Sequence, residues 1–295
     1  MPKTQRTGRA RPVYWLQNLA LRALFGMLLA LPYRWRVPLA GLAVAHLVAP
    51  LAGYRRRIRD NLALVLPQMP PAERRALELE VPNNAGRTLI EIYSGAEFLN
   101  HVKHTPIEGE GLGAILAARE SGRGVILVAG HFGNYDVIRA VLAAHGHPIG
   151  ALFNPMRNPY FNAHYTRRIG EISQPMFPRG RHGLAEMVRF LRGGGMVGMM
   201  IDQHMPRGEA LTFFGQPART ALSAAELALK YDLLLVPVNA VRQSDGISFR
   251  MIVDRPIPPG PAREMTQALN DSLERLVRAH PGQWFWIHRR WRPQG

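Results

Sequence analysis

His131 and Asp136 stand on either side of four residues in the stretch VILVAGHFGNYD, residues 125–136. A carboxylate that accepts one imidazole N–H fixes the ring's tautomer, and the other nitrogen can then take a proton from a hydroxyl. No serine or cysteine stands beside this pair. The chemistry it suits is therefore direct attack by a substrate's own oxygen, without a covalent enzyme intermediate. Gly133 and Asn134, between the two, offer backbone or amide donors to a developing oxyanion. Spacing alone leaves open the plainer reading, a loop histidine satisfied by a nearby acid.

The surrounding residues predict how such a pair is held. Residues 125–129 are a short apolar, β-branched run that Gly130 breaks. Val137, Ala140, Val141 and Ala144 then recur at helical spacing, with Arg139 off that face. A strand, a loaded turn and a helix are expected, and in open α/β sheets ligands sit at such turns. The unit recurs: residues 196–201 read as a second buried strand, ending on Asp202 and Gln203. Those two residues are candidates to orient a phosphorylated substrate or to support His131, with a structural cap as the alternative. Further strands are expected at 149–153, 233–241 and 247–253. Helices are expected at 71–80, 83–98, 158–171, 183–192 and 220–231, and over the repeat Leu269, Leu273, Leu276, Val277. This alternation predicts an α/β fold with a mostly parallel central sheet flanked by helices.

The net charge of +16 is uneven. Residues 1–59 carry eleven Lys and Arg and no acid, leaving +5 on the other 236. Lys3, Arg6, Arg9 and Arg11 precede a 17-residue run, 15–31, that is apolar except for Gln17, Asn18 and Arg22, and Tyr33, Trp35 and Arg36 close it. Aromatics and arginines around an apolar helix mark a membrane interface. Seventeen residues are at the lower limit for crossing a bilayer, and Arg22 would cost about 2.5–3.5 kcal/mol at its centre. A shallow anchor on an anionic surface is expected, against a cleaved leader or a buried helix. A second apolar stretch, 39–52, precedes Arg55, Arg56, Arg57 and Arg59 and suits a surface-lying hairpin. Residues 1–70 are thus read as a basic, membrane-associating helical segment and 71–295 as the α/β domain. The absence of cysteine removes disulfides, thiol nucleophiles and cysteine-ligated zinc.

At the C-terminus Trp284, Phe285, Trp286 and Trp291 interleave with His288, Arg289, Arg290 and Arg292. Such a pattern serves base stacking, a lipid interface or a core staple. No zinc spacing or RNA-binding signature accompanies it, so nucleic acid is not expected as a partner.

GHFGNYD resembles the His, four residues, acid motif of glycerolipid acyltransferases, and more narrowly that of the bacterial lipid A biosynthesis acyltransferases. RRRIRDNLALVLP (55–67), NPMRNPYF (154–161), IDQ with FFGQPART (201–220) and QWFWIHRRWRP (283–293) resemble further blocks of that family in the same order. The likeness runs over nearly the whole chain. It implies transfer of a fatty acyl chain from acyl carrier protein to a hydroxyl of a lipid A precursor, at the cytoplasmic face of the inner membrane. It implies no cofactor and no metal. His131 would be the general base and Asp136 its orienting carboxylate, with Asp136 standing where close bacterial relatives usually carry Glu and Tyr135 where Trp is common. The family also has an important arginine in the helix after the NP block. Arg168 is preferred here over Arg167, and Arg179 and Arg181 are further anion-binding candidates. Phe213 and Phe214 line an acyl channel or pack in the core. A lysophospholipid or another glycolipid as acceptor, and a non-enzymatic basic membrane-binding module, are the alternatives.

Overall fold

The computed structural model describes residues 10–292; Lys3, Arg6 and Arg9 lie outside the described residues. In chain order the elements are α1 (Ala10–Leu29), α2 (Tyr33–Ala43), a π-helical turn (Val44–Val48), α3 (Ala49–Leu51), α4 (Tyr54–Val65), α5 (Pro71–Tyr93) and α6 (Ala96–Val102). Then follow β1 (Ile107–Glu108), α7 (Leu112–Glu120), β2 (Val125–Ala129), α8 (Asp136–Ala144), β3 (Ile149–Phe153), α9 (Pro159–Ile172), β4 (Met176–Pro178), α10 (Arg181–Arg192) and β5 (Met196–Met200). The chain ends with β6 (Glu209–Phe213), β7 (Gln216–Thr220), α11 (Ser223–Lys230), β8 (Leu234–Arg242), β9 (Phe249–Val253) and α12 (Ala262–Ala279).

Seven strands form one sheet in the order β1-β9-β8-β2-β5-β3-β4, and β6 and β7 form a separate antiparallel hairpin. All neighbours in the large sheet are parallel except β8 and β9. The expected α/β architecture with a mostly parallel sheet is therefore present. Every side chain of β2 is buried, because period-two alternation sends them to two covered faces. Val125, Leu127 and Ala129 pack with α8, α9 and α5. Ile126 and Val128 pack with α10, α11 and α12. A third apolar cluster joins α4, the β6–β7 hairpin and the C-terminal tryptophans.

This topology fixes where a site can form. β2 and β5 are paired to their carboxyl ends, with Ala129 opposite Met200, and Ile201 N–H donates to Ala129 O at 3.3 Å. From β2 the chain passes to β3 on one side, while from β5 it returns across to β8 on the other. Two adjacent strands whose connections diverge leave a crevice at their carboxyl ends. The loops 130–135 and 201–203 open into it together.

Several expectations need adjustment. The two helices expected at 71–80 and 83–98 are a single helix, α5, that runs through Pro82 and stops before Gly95. A proline removes one ladder bond, and packing holds the helix on either side. At Gly86 a Cβ would lie 2.6 Å from Ala40 O, so close contact with α2 requires glycine there. Arg139, off the apolar face of α8, is nevertheless buried. Arg36, expected at a membrane interface, is also buried: it pairs with Glu97 and donates to Leu29 O at 3.0 Å. Phe213 and Phe214 pack in the core against Trp284, Trp286 and Trp291. No single helix among the described residues is long and apolar enough to cross a membrane; helices 33–51 and 54–65 form a pair bent by 85°.

Candidate active site

At the tip of β2 the backbone turns sharply at Gly133, where φ is +54° and a Cβ would stand 2.1 Å from Ala240 O. Only glycine fits this close left-handed approach. Gly133 N–H donates to Gln283 O at 2.9 Å, and its carbonyl accepts from Thr88 Oγ1 at 2.8 Å. Asn134 is fully buried; its Nδ2 donates to Glu91 Oε2 at 2.9 Å and its Oδ1 accepts from Asp136 N at 3.0 Å. Glu91 is held in turn by Arg242, whose Nη2 donates at 2.8 Å. Gly133 N–H and the Asn134 side chain thus shape the loop from below. As donors to an oxyanion, Gly133 N–H and the Asn134 Nδ2–H on Glu91 are already engaged.

His131 projects from this loop, about one-fifth exposed. Its Nδ1 lies 2.7 Å from Asp202 Oδ1, and its backbone N–H donates to Asp202 Oδ2 at 2.7 Å. Trp284 Nε1 donates to the same Oδ2 at 2.9 Å. Asp202 is buried, which alone would raise its pKa. The adjacent His131, through charge and hydrogen bonds, and His288 outweigh burial and hold the carboxyl well below its ordinary range. A carboxylate accepting at Nδ1 places the ring proton there. The Nε2 lone pair therefore faces the crevice.

The expected contact between His131 and Asp136 is absent. Asp136 begins α8 with its side chain buried, and Arg139 Nη1 donates to its Oδ1 at 2.6 Å. Arg139 extends from there to the end of α9, with Nη2 donating to Ser173 O at 2.6 Å. The carboxylate nearest in sequence ties two helices together, and the one delivered by β5, 71 residues away, meets the imidazole. Gln203, the next residue, is exposed, and its Nε2 stands 3.4 Å from His131 Nε2.

The arginines are more scattered. Arg168 is half-buried on α9 and donates to Glu171 Oε2 at 3.0 Å, while its Nε has no partner. Arg167 and Arg179 are exposed, the latter just beyond β4 with its backbone N–H on Phe153 O at 2.8 Å. None of the three is bonded to His131 among the described residues. α9 instead approaches the site through Tyr165, which is paired with Tyr135, whose ring lies edge-on to His131 at 5.4 Å.

The C-terminal segment contributes what the sequence reading did not assign. Phe285 N–H donates to His131 O at 3.0 Å, and the His288 ring stands edge-on to His131 at 4.9 Å. Arg290 is fully buried, donating to Thr220 Oγ1 at 2.6 Å and Arg219 O at 2.8 Å. Burial lowers it to about 10. The aromatic and cationic alternation of 284–292 was a visible signal, and its use is as a staple over the site.

An imidazole base oriented by a buried carboxylate, on a crevice at the ends of parallel strands, can deprotonate a hydroxyl. The family description "Bacterial lipid A biosynthesis acyltransferase" matches residues 2–293. The chain belongs to that family. Similar proteins include the lipid A biosynthesis palmitoleoyltransferase of Escherichia coli (strain K12), 27% identical, with 96% of this chain and 94% of that protein covered. The lipid A biosynthesis lauroyltransferase of the same strain is 26% identical over 98% of this chain and 96% of its own length. The phosphatidylinositol mannoside acyltransferase of Mycobacterium tuberculosis (strain ATCC 25618 / H37Rv) is 25% identical over 81% and 78%. Membership and geometry together make this chain an acyltransferase.

Proposed function

We propose that the protein transfers a fatty acyl chain from acyl carrier protein to a hydroxyl of a lipid A precursor, at the cytoplasmic face of the inner membrane. The observation that carries the mechanism is the 2.7 Å contact between His131 Nδ1 and Asp202, which leaves Nε2 as a lone pair on the crevice. The acceptor hydroxyl gives its proton to Nε2 as its oxygen forms the bond to the thioester carbon. The carbon–sulfur bond then breaks and the thiolate takes the proton from His131. Asp202 stabilises the imidazolium between these steps, and water exclusion strengthens that attraction. Arg168 is proposed as the residue that binds an acceptor phosphate, with Arg167 and Arg179 as further anion contacts.

The membrane part of the reading rests on α1 and the helices after it. α1 exposes Val13, Trp15, Leu16, Leu19, Leu24 and Met27, while Phe25 stacks on Tyr93 at 4.1 Å to fix it to the domain. Leu47 and Leu51 are also exposed, the latter by 90%. Contiguous apolar surface of this kind belongs in the acyl boundary of a bilayer. The likeness to phosphatidylinositol mannoside acyltransferases favours a second acceptor class, a phosphorylated glycolipid other than lipid A. The test is incubation with a panel of acyl carrier protein thioesters of different chain lengths and a panel of lipid A precursors, phosphoglycolipids and lysophospholipids, with products read by mass. Acylated lipid A precursor is the expected product. Exclusive acylation of another lipid would redirect the acceptor, and no transfer to any would refute the function.

A further inference from the structure

The reading of His131 as a base leaves one arrangement unused. Gln203 Nε2 is 3.4 Å from His131 Nε2 and also 3.4 Å from His288 Nε2. One amide therefore spans the two imidazoles. Because Nδ1–H of His131 is committed to Asp202, the His131 nitrogen facing Gln203 is a lone pair, to which an amide N–H can only donate. At 3.4 Å both contacts are longer than the usual 2.9–3.0 Å, so a better donor can displace the amide from His131, and with the amide no longer shared it can close on His288.

His288 is rigidly placed. Its N–H donates to Phe285 O at 3.1 Å, and its carbonyl accepts from Asn61 Nδ2 at 2.9 Å. The ring packs edge-on against Phe285 at 4.6 Å and His131 at 4.9 Å. Burial, then the neighbouring His131, lower it to about 4 against the pull of Asp202. It is uncharged at neutral pH and so able to accept from Gln203 while adding no cation beside the nascent imidazolium.

We propose that His288 is a positioning residue that holds the Gln203 amide as a displaceable cap on the His131 lone pair, keeping the base from activating water until an acceptor hydroxyl takes the amide's place. The hydroxyl donates its own proton to Nε2, and the released amide N–H remains on His288. Without the cap, water can occupy the same position. Its proton passes to Nε2 as its oxygen bonds to the thioester carbon, the carbon–sulfur bond breaks, the thiolate takes the proton from His131, and a free fatty acid leaves in place of an acylated lipid.

The inference rests on the acyl-transfer reading, and the experiment separates the two. Lauroyl acyl carrier protein is incubated with and without a lipid A precursor, and free fatty acid and acylated lipid are both quantified. The wild type, His131→Ala, His288→Phe, His288→Gln, Gln203→Met and the His288→Phe/Gln203→Met double variant are compared, each below its melting transition. His288→Phe keeps the packed ring and loses the nitrogen. His288→Phe and Gln203→Met should each raise the ratio of hydrolysis to transfer on the order of tenfold, the effect of losing one positioned hydrogen bond. The double variant should be no worse than the worse single variant, and His288→Gln should restore part of the wild-type ratio. An unchanged ratio in both singles, or an equal fall in hydrolysis and transfer, overturns the cap. If His288→Phe fails to fold, Gln203→Met alone decides between these outcomes. Failure of the wild type to form acylated lipid overturns the parent reading instead, and His131→Ala shows whether either product depends on the base.

Discussion

Replacing Asp202 by Asn changes one atom and removes one charge, and the geometry dictates how the amide must sit. Oδ2 receives two donors, the His131 backbone N–H at 2.7 Å and Trp284 Nε1 at 2.9 Å, while Oδ1 faces only His131 Nδ1. With the amide oxygen in the Oδ1 position, two buried N–H groups would face an NH2, each costing about 1–3 kcal/mol. The favoured placement keeps oxygen on the two donors and turns NH2 toward Nδ1. That nitrogen must then carry the lone pair, so the ring proton moves to Nε2 and the base no longer faces the substrate. Turnover should fall by about 10²- to 10⁴-fold, roughly 2.7–5.4 kcal/mol on the barrier. Single-turnover transfer measures the loss, and nitrogen-15 spectra of the histidines read the tautomer directly. All three contacts keep a donor and an acceptor, but the stabilisation tied to the depressed carboxyl pKa goes with the charge, so stability at neutral pH should fall. The wild type's acid behaviour follows from the same group: its folded pKa is depressed, so its stabilisation is present above about pH 4 and lost as pH falls through the folded value. The Asn variant should lose that part of the acid sensitivity. Transfer within threefold of wild type, with the ring proton still on Nδ1, would refute the reasoning.

Asp136→Ala should act on folding first, because it leaves Arg139 buried and short of a partner; a loss of about 3–5 kcal/mol in denaturant unfolding is expected, whereas Asp136→Asn with an unchanged melt and abolished turnover would return the orienting role to Asp136. Arg168→Ala and Arg168→Lys should both raise KM for a phosphorylated acceptor, since a point charge does not replace a planar fork; equal kinetics at limiting acceptor would remove Arg168 and leave Arg167 or Arg179 to be tried. The double change Leu16→Glu/Leu24→Glu, on exposed positions of α1, should release the protein from anionic vesicles, since each leucine gives up roughly 1.5–3 kcal/mol of apolar burial in the membrane; complete sedimentation in high salt would place the attachment elsewhere.

The sheet was largely legible because its strands announce themselves. Residues 125–129 and 196–200 are short apolar runs between glycines and polar tips, and a buried parallel strand has little other way to be written. β4 has only three residues around Pro178, and the β6–β7 hairpin mixes charge with Phe213 and Phe214, so neither has a clean period. At the candidate site, His131 was singled out by residue type and spacing. Asp202 was a candidate to support His131, but proximity in sequence favoured Asp136 as the orienting carboxylate, whereas strand pairing brings Asp202 to the ring. Gly133 and Asn134 were correctly placed in the loop, but their hydrogen bonds to Gln283 and Glu91 are long-range and carry no local signature. The same holds for His288, whose neighbours in the chain suit a lipid interface as well as a core staple.

The most direct test of the account is His131→Ala, assayed by single-turnover acyl transfer beside a thermal melt. His131→Ala leaves the buried Oδ1 of Asp202 without its partner, so the melt should fall, and transfer is therefore measured well below the variant's own transition. Loss of the positioned base should lower transfer by at least about 10²- to 10⁴-fold. A normally folded His131→Ala protein that transfers acyl chains within threefold of wild type would contradict the mechanism.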